Sequence, residues 1–402
     1  MNRLIVLLST SLLAAACGSA QTPVPATPAT TPAAPTPGTP IPATPIPTIP
    51  NETASPAPTL APPPPSPSLP PTPLPTIGPE INLVTHDSFA ATASVIKDFE
   101  RQTGTTLNVL KGGDAGTMVN EAILTKSDPL GDVLYGVDNT FLSRALDAGI
   151  FEPYISPASA NVPATFKLDP QDRVTPIDYG DVCVVYDVKA VGSNGGPAAP
   201  QTINDLTNPA YNSKLVVENP ATSSPGLAFM LATIARFGES GAYTWLDYWR
   251  DLRANGVLVE SDWNSAYYND FSAGGGNGDR NLVVSYATDP AADVYFSGSS
   301  RATPGVQFLD DGCFRQEEFA AVLAGGKNPA GAEAWIDFMA SPEFQSDIPL
   351  NMFVLPVNPD AQLPDLFTKY QSQATSPLTM DPATIAANRD QWIQQWTDTV
   401  LH

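Results

Sequence analysis

From about residue 79 the chain alternates short apolar runs with longer stretches in which apolar residues recur every three to four positions, the pattern of strands feeding helices. Residues 81–85 read as a strand. Asp87 or Ser88 then caps a helix whose buried face holds Val95, Ile96 and Phe99 and which stops at Gly104. The unit repeats, with a strand at 105–110 and a turn through Asp114 into a helix carrying Met118 and Ile123. It repeats again, with a strand at 132–135 and a helix capped by Asp138 that carries Leu142 and Ala145. Such units predict a parallel, doubly wound α/β sheet whose ligands sit beyond the carboxyl ends of its strands. Asp87, Ser88, Asp114 and Asp138 fall at those ends.

The rhythm then changes. Residues 174–187 form one long extended run, read as a crossover, and 201–213 a short helix and turn. An apolar strand at 215–217 leads through a hydroxyl-rich loop into a long apolar helix. There Ser224 suits the N-cap and Pro225 the first helical position. Free N–H groups and the positive helix end make this junction a cradle for a polar ligand, although an ordinary capped helix fits the same residues. A helix at 243–252 carries Trp245 and Trp249. A short apolar run at 257–260, a glycine-rich loop at 274–278, a strand at 282–286 and a second crossover at 314–323 follow. Helices are expected at 328–340, from 341, and from 381 with Ile385, Trp392, Trp396 and Val400 on one face. These tryptophans read as core.

The first 78 residues follow neither rhythm. Residues 1–16 have a short basic start and an apolar run too brief to span a bilayer, so they read as a secretory signal. Ala14-Ala15-Ala16 before Cys17 resembles a bacterial lipobox, which implies that Cys17 carries the lipid anchor of an extracytoplasmic protein; a plain signal peptide cleaved nearby is the alternative. Residues 17–78 hold half of the chain's 44 prolines and read as a solvated tether.

Charge and chemistry narrow the function. A net charge of −22 argues against nucleic acid and anionic lipid as partners and suits a cationic ligand. His86 and His402 are the only histidines, and no phosphate-binding loop, HExxH or CxxC occurs, so no metal, cofactor or catalytic machinery is expected. The chain reads as a binder. Cys183, in the apolar alternation Val182-Cys183-Val184, reads as an inert thiol or half of a disulfide.

Several segments carry a family resemblance. THDSFAA (85–91), GDVLYGVDN (131–139), IDYGDVCVVYD (177–187), ENPATSSPGL (218–227), DWNSAY (262–267), VVSYATDPA (283–291), WIDFMASPEFQSDIPLNMFVLPV (335–357) and DPATIAANRDQWIQQW (381–396) occur in the order found in the thiamine-binding solute receptors of ABC importers. The chain therefore resembles that family, within the wider iron, polyamine and thiamine cluster. The resemblance implies a two-lobed type II periplasmic-binding-protein fold, with lobe 1 at 79–180 and 315–402, lobe 2 at 181–314, and two crossover strands between them. It also implies a monomeric, non-enzymatic receptor that closes over thiamine, a thiamine phosphate or a related pyrimidine and delivers it to permease subunits.

The ligand residues carried over by resemblance are Asp87, Ser88, Asp114, Ser223, Trp263 and Tyr286, with Phe353 where the family has tryptophan. His86, Ala93 and Ala292 stand where aromatics are expected. Trp263, Tyr286 and Phe353 offer stacking and cation–π faces worth about 0.5–2 kcal/mol each, and Asp87 and Asp114 can accept from an aminopyrimidine. Tyr267-Tyr268 resembles the paired ligands of ferric-binding relatives, so a ferric or polyamine receptor is the nearest alternative, and a thiaminase-like enzyme a more distant one. Because the crossovers of this fold run side by side, Cys183 and Cys313 are expected to pair, with two separate buried thiols the open alternative.

Overall fold

The computed structural model describes residues 76–192, 196–298 and 302–402. The chain divides into two units, Met1–Pro70 and Pro71–His402, and the described residues belong to the second. The expected signal at 1–16, the lipidation site Cys17 and the tether up to residue 75 lie outside the described residues. No described helix is long and apolar enough to cross a membrane.

The opening strands β1 (Glu80–Thr85), β2 (Thr106–Lys111) and β3 (Val133–Asp138) pair in parallel. Between and after them come α1 (Ala93–Thr103), α2 (Ala115–Leu124), α3 (Leu142–Ala148) and the two-residue β4 (Phe151–Glu152). The first crossover is β5 (Thr175–Asp187). Beyond it lie β6 (Leu215–Glu218), α4 (Ser224–Phe237), α5 (Trp245–Ala254), β7 (Leu258–Glu260), β8 (Leu282–Tyr286) and α6 (Asp289–Phe296). Strands β6, β7 and β8 are again parallel. The second crossover, β9 (Val306–Leu323), runs antiparallel to β5 over most of its length. The chain ends through α7 (Pro329–Met339), α8 (Pro342–Asn351), β10 (Leu355–Pro356), α9 (Asp365–Lys369) and α10 (Pro382–Val400).

The two parallel triplets thus join into one sheet of order β2-β1-β3-β9-β5-β8-β6-β7, with the crossovers at its centre. This is the two-lobed α/β fold expected from the repeating units, and the crossovers are its shared spine. The second is longer than the apolar pattern at 314–323 showed, because its first part, Val306 to Asp311, mixes buried and exposed positions. Cys183 of β5 and Cys313 of β9 are joined by a disulfide, with Cα atoms 4.3 Å apart, beside the register shift between Val182 and Val184. Five of the six tryptophans are buried. Trp249 meets Trp396 edge to face at 5.4 Å, which seats α10 on α5, and α10 also packs on α3. The C-terminal helix therefore touches both lobes.

Several helix starts differ from the sequence pattern. Helix α1 begins after Thr92, not after Asp87 or Ser88, because the Asp87 carboxylate is taken by the Gly113 N–H at 3.1 Å. Asp138 does not cap α3; it accepts from the Thr140 N–H at 2.6 Å and from the Thr140 hydroxyl. The N-cap of α4 is Ser223, one residue before the expected Ser224, and its side chain makes no capping bond. Ser224 instead donates its hydroxyl to Asp138.

Candidate functional site

The carboxyl ends of the parallel strands from both lobes meet around one cavity of about 530 Å³. The end of β1 supplies His86 and Ser88, and the β2–α2 turn supplies Asp114. Asp114 is the N-cap of α2: its Oδ1 accepts from the Ala115 N–H at 2.7 Å. Its Oδ2 accepts from the backbone N–H of Trp263 at 3.2 Å, on the opposite lobe. Burial raises the Asp114 carboxyl above its ordinary range, against the lowering effects of the Ser223 hydroxyl, the two N–H donors and the His86 charge.

The second lobe supplies the aromatic wall. After β7 the chain winds into a π-helical turn, Ser265–Asp270, which stacks Tyr267 on Trp263 at 4.7 Å between ring centres. The indole N–H of Trp263 donates to Ser285 Oγ at 3.0 Å, fixing the ring against β8. Tyr286, at the end of β8, donates its hydroxyl to Gln316 at 3.1 Å. Phe353 enters from the segment after α8, with a left-handed φ of 56°. It packs against Tyr295, Phe296 and Phe367 at 5.1 to 6.0 Å.

Most of the sequence-derived residues therefore come together: Ser88, Asp114, Trp263, Tyr286 and Phe353 all line the cavity. Two do not. Asp87 faces a small adjoining space and spends its carboxylate on Gly113. Ser223 is fully buried at the helix cap, and its neighbours Ser224 and Pro225 reach the cavity instead. Ala292, where an aromatic was expected, lines the cavity together with Phe296. Sequence reasoning offered Tyr267 only as a ferric-type ligand and missed Thr288, Asp289 and Glu318. The Asp289-Pro290 pair at a strand's carboxyl end was the one signal that pointed to a helix start there.

The floor of the cavity is a buried cluster of ionisable groups. His86 Nε2 lies 3.7 Å from Glu318 on β9. Burial alone would lower His86, but the close Glu318 carboxylate outweighs that and raises it. Glu318, pushed up by burial, is brought below its ordinary value by the nearby His86 and by hydrogen bonds from Tyr135 and Gln316. Asp178, opposite Glu318 on β5, is driven well upward by burial and then by the Glu318 charge. Burial and mutual repulsion thus set the two carboxyls apart, Asp178 moved up and Glu318 down. Tyr135 donates to Asp178 and closes the cluster.

What the site can do follows from this inventory. Acidic groups and aromatic faces line it, and among its described lining residues the one basic side chain, His86, is already paired with Glu318. Cys183 and Cys313 are bonded to each other, so neither offers a thiolate. Tyr267 and Tyr268 diverge, with ring planes 80° apart, one buried and one exposed. No described cluster of three or more His, Cys, Asp or Glu is arranged to hold a metal ion. The arrangement suits a flat organic cation.

A two-lobed sheet closing on one such cavity defines a solute-binding protein, and the comparisons agree. Residues 128–381 match the family of bacterial extracellular solute-binding proteins, and the chain belongs to it. It is 29% identical over 327 residues to the thiamine-binding periplasmic protein of Escherichia coli K12, covering 80% of this chain and 94% of that protein. It is 28% identical over 325 residues to the thiamine-binding periplasmic protein of Brucella melitensis, covering 79% and 91%. Among solved structures, a periplasmic thiamin binding protein superposes with a TM-score of 0.70 at 29% identity, covering 81% of this chain and 99% of that one. Iron-bound HitA from Pseudomonas aeruginosa gives 0.63 at 20% identity, covering 80% and 99%, a likeness of fold.

Proposed function

We propose that this protein is the lipid-anchored receptor of an ABC importer that captures thiamine, or a thiamine phosphate, between its lobes and hands it to permease subunits. The observation that carries the reading is the joining of Trp263, Tyr286 and Phe353 with acidic groups around one cavity of about 530 Å³. Aromatic faces stack a flat heterocycle and attract its positive charge. Asp114 and Ser88 supply polar contacts from the first lobe. The similarity to relatives named as thiamine-binding supports the same ligand.

In this reading Cys17 bears the lipid, residues 17–78 hold the receptor off the extracytoplasmic membrane face, and the protein acts as a monomer without catalysing a reaction. The lobes divide near residues 181 and 315, where β5, past its pairing with β10 at Asp178 and Tyr179, begins to pair with β8 at Val182 while it stays paired with β9. Capture is a hinge motion about β5 and β9. The test is native mass spectrometry of protein purified from cells, followed by calorimetry with thiamine and thiamine phosphate. A bound mass equal to thiamine or its phosphates, with affinity in the micromolar range or tighter, is expected. Protein that takes neither compound would end the reading.

A further inference from the structure

Two polar side chains on the second-lobe wall carry bonding capacity that the protein itself leaves unused. Asp289 opens α6 directly after β8 and is 4% exposed; Thr288 before it is 1% exposed. Asp289 Oδ2 and Thr288 Oγ1 are both buried without a hydrogen-bond partner among the described residues, and both residues border the cavity. The Ser285 hydroxyl and the Tyr286 N–H are close enough to the Asp289 carboxyl to lower it, against the effect of burial. Ser285 in turn is gripped by the indole N–H of Trp263 at 3.0 Å. The Asp289 carboxyl thus sits beside the cavity's own aromatic wall with its Oδ2 bare.

Among the described residues, the surroundings offer that oxygen no positive charge. The titratable groups that act on it or feel it are Asp293 on its own helix, Tyr267 and Tyr268 from the π-helical turn, and Glu218 from β6. All four are acidic or phenolic. The basic side chain lining the cavity, His86, belongs to the other lobe and is matched to Glu318. A bare, buried carboxylate oxygen among acids is costly unless a cation arrives to meet it.

We infer that Asp289, with Thr288, forms the charge-selecting subsite of this cavity, where the positive charge of an organic cation is met and a polar atom beside it is bonded by the Thr288 hydroxyl. The inference rests on the thiamine-class reading and deepens it by naming the wall that meets the charge. It also makes binding proton-linked. Burial pushes the Asp289 carboxyl up to about 7, so at neutral pH the empty site is partly protonated. A bound cation favours the carboxylate, so the Asp289 proton leaves to solvent while no bond in the ligand is made or broken.

The experiment compares wild-type full chain with Asp289→Asn and Thr288→Val by calorimetry with thiamine at pH 7, in two buffers of different ionisation enthalpy. Wild-type protein should release a fraction of a proton on binding. Asp289→Asn should bind at least tenfold more weakly and release measurably less, whereas Thr288→Val should bind several-fold more weakly with release unchanged. Without ligand, Asp289→Asn should melt above wild type at pH 8 and alongside it at pH 4, which also shows that the variant folds. An Asp289→Asn affinity within twofold of wild type with the same proton release would overturn the subsite. If Asp289→Asn does not fold, an unchanged affinity in Thr288→Val overturns it and a several-fold loss upholds it. If wild-type protein takes no thiamine, the ligand reading falls, and spermidine becomes the probe for the same proteins. Spermidine binding weakened by Asp289→Asn then upholds the subsite, and unchanged binding, or none by wild-type protein, overturns it.

Discussion

Trp263 donates its backbone N–H to the carboxylate of Asp114 at 3.2 Å, across 149 positions of sequence. One bond ties the aromatic wall of the second lobe to a helix N-terminus of the first. A second contact of the same kind runs from the Thr117 N–H to the Thr222 carbonyl at 3.3 Å, and a third joins Ser224 to Asp138. The lobes meet through polar groups at the ends of their strands, around the cavity.

Replacing Trp263 by alanine removes the stacking face while leaving its backbone N–H available to Asp114. Thiamine binding should weaken by about 1–3 kcal/mol, the worth of a buried aromatic and cation–π contact. The fold should persist, because the indole lies at the cavity wall rather than in the main core. Calorimetry and circular dichroism on the variant check both; an unchanged affinity would remove Trp263 from the site.

The Cys183–Cys313 bridge closes a loop of 130 residues between the crossover strands. The chain-entropy model assigns a loop of that length roughly 5 kcal/mol, an upper figure. Thiol titration of denatured, unreduced protein should find neither cysteine free, and reductant should lower the melting temperature. Both strands already pair directly, so the bridge constrains the spine and leaves the lobes free to close. Two free thiols from these positions would end the assignment.

Stability without ligand should fall as pH rises from about 5 to 8. Burial raises Asp138 and Asp289 to about 7, and Asp178 and Glu218 well above the ordinary carboxylate range. In the unfolded chain such groups ionise near pH 4. The folded state therefore holds protons that the unfolded state has released, and their contribution is lost between about pH 4 and 7 and beyond. Melting curves should move down across that range. Glu218→Gln, which keeps the shape of a carboxyl whose two oxygens have no partner, should flatten part of the slope. Melting temperatures that rise towards pH 8 would contradict the assignment.

Gly116 tests the closeness of the lobes. A Cβ there would stand 2.7 Å from the Thr222 carbonyl oxygen and 2.7 Å from the Phe141 ring. Gly116→Ala should cost about 1–3 kcal/mol through overpacking. Because Thr222 belongs to the other lobe, the variant should also bind thiamine less tightly. A variant with wild-type melting and affinity would show that the loop at 219–223 yields freely.

The apolar rhythm by itself determined the order of the main strands and helices, the two crossovers and the core tryptophans, because burial on one face of an element leaves a periodic trace in its own residues; the short β4, α6, β10 and α9 it did not show. Family motifs located Asp114, Trp263 and Tyr286. What the rhythm did not contain is where a polar side chain spends its bonds. Asp87, Asp138 and Ser224 look like helix caps in sequence, yet their partners Gly113, Thr140 and Asp138 come from turns and from the opposite lobe. Only the tertiary structure placed Ser223 beneath the cavity rather than on it. Likewise, His86 met Glu318, and Asp289 was left bare beside Trp263, only once the two lobes were assembled. Such pairings join elements far apart in sequence, and a hydrogen bond between them leaves no periodic trace in either.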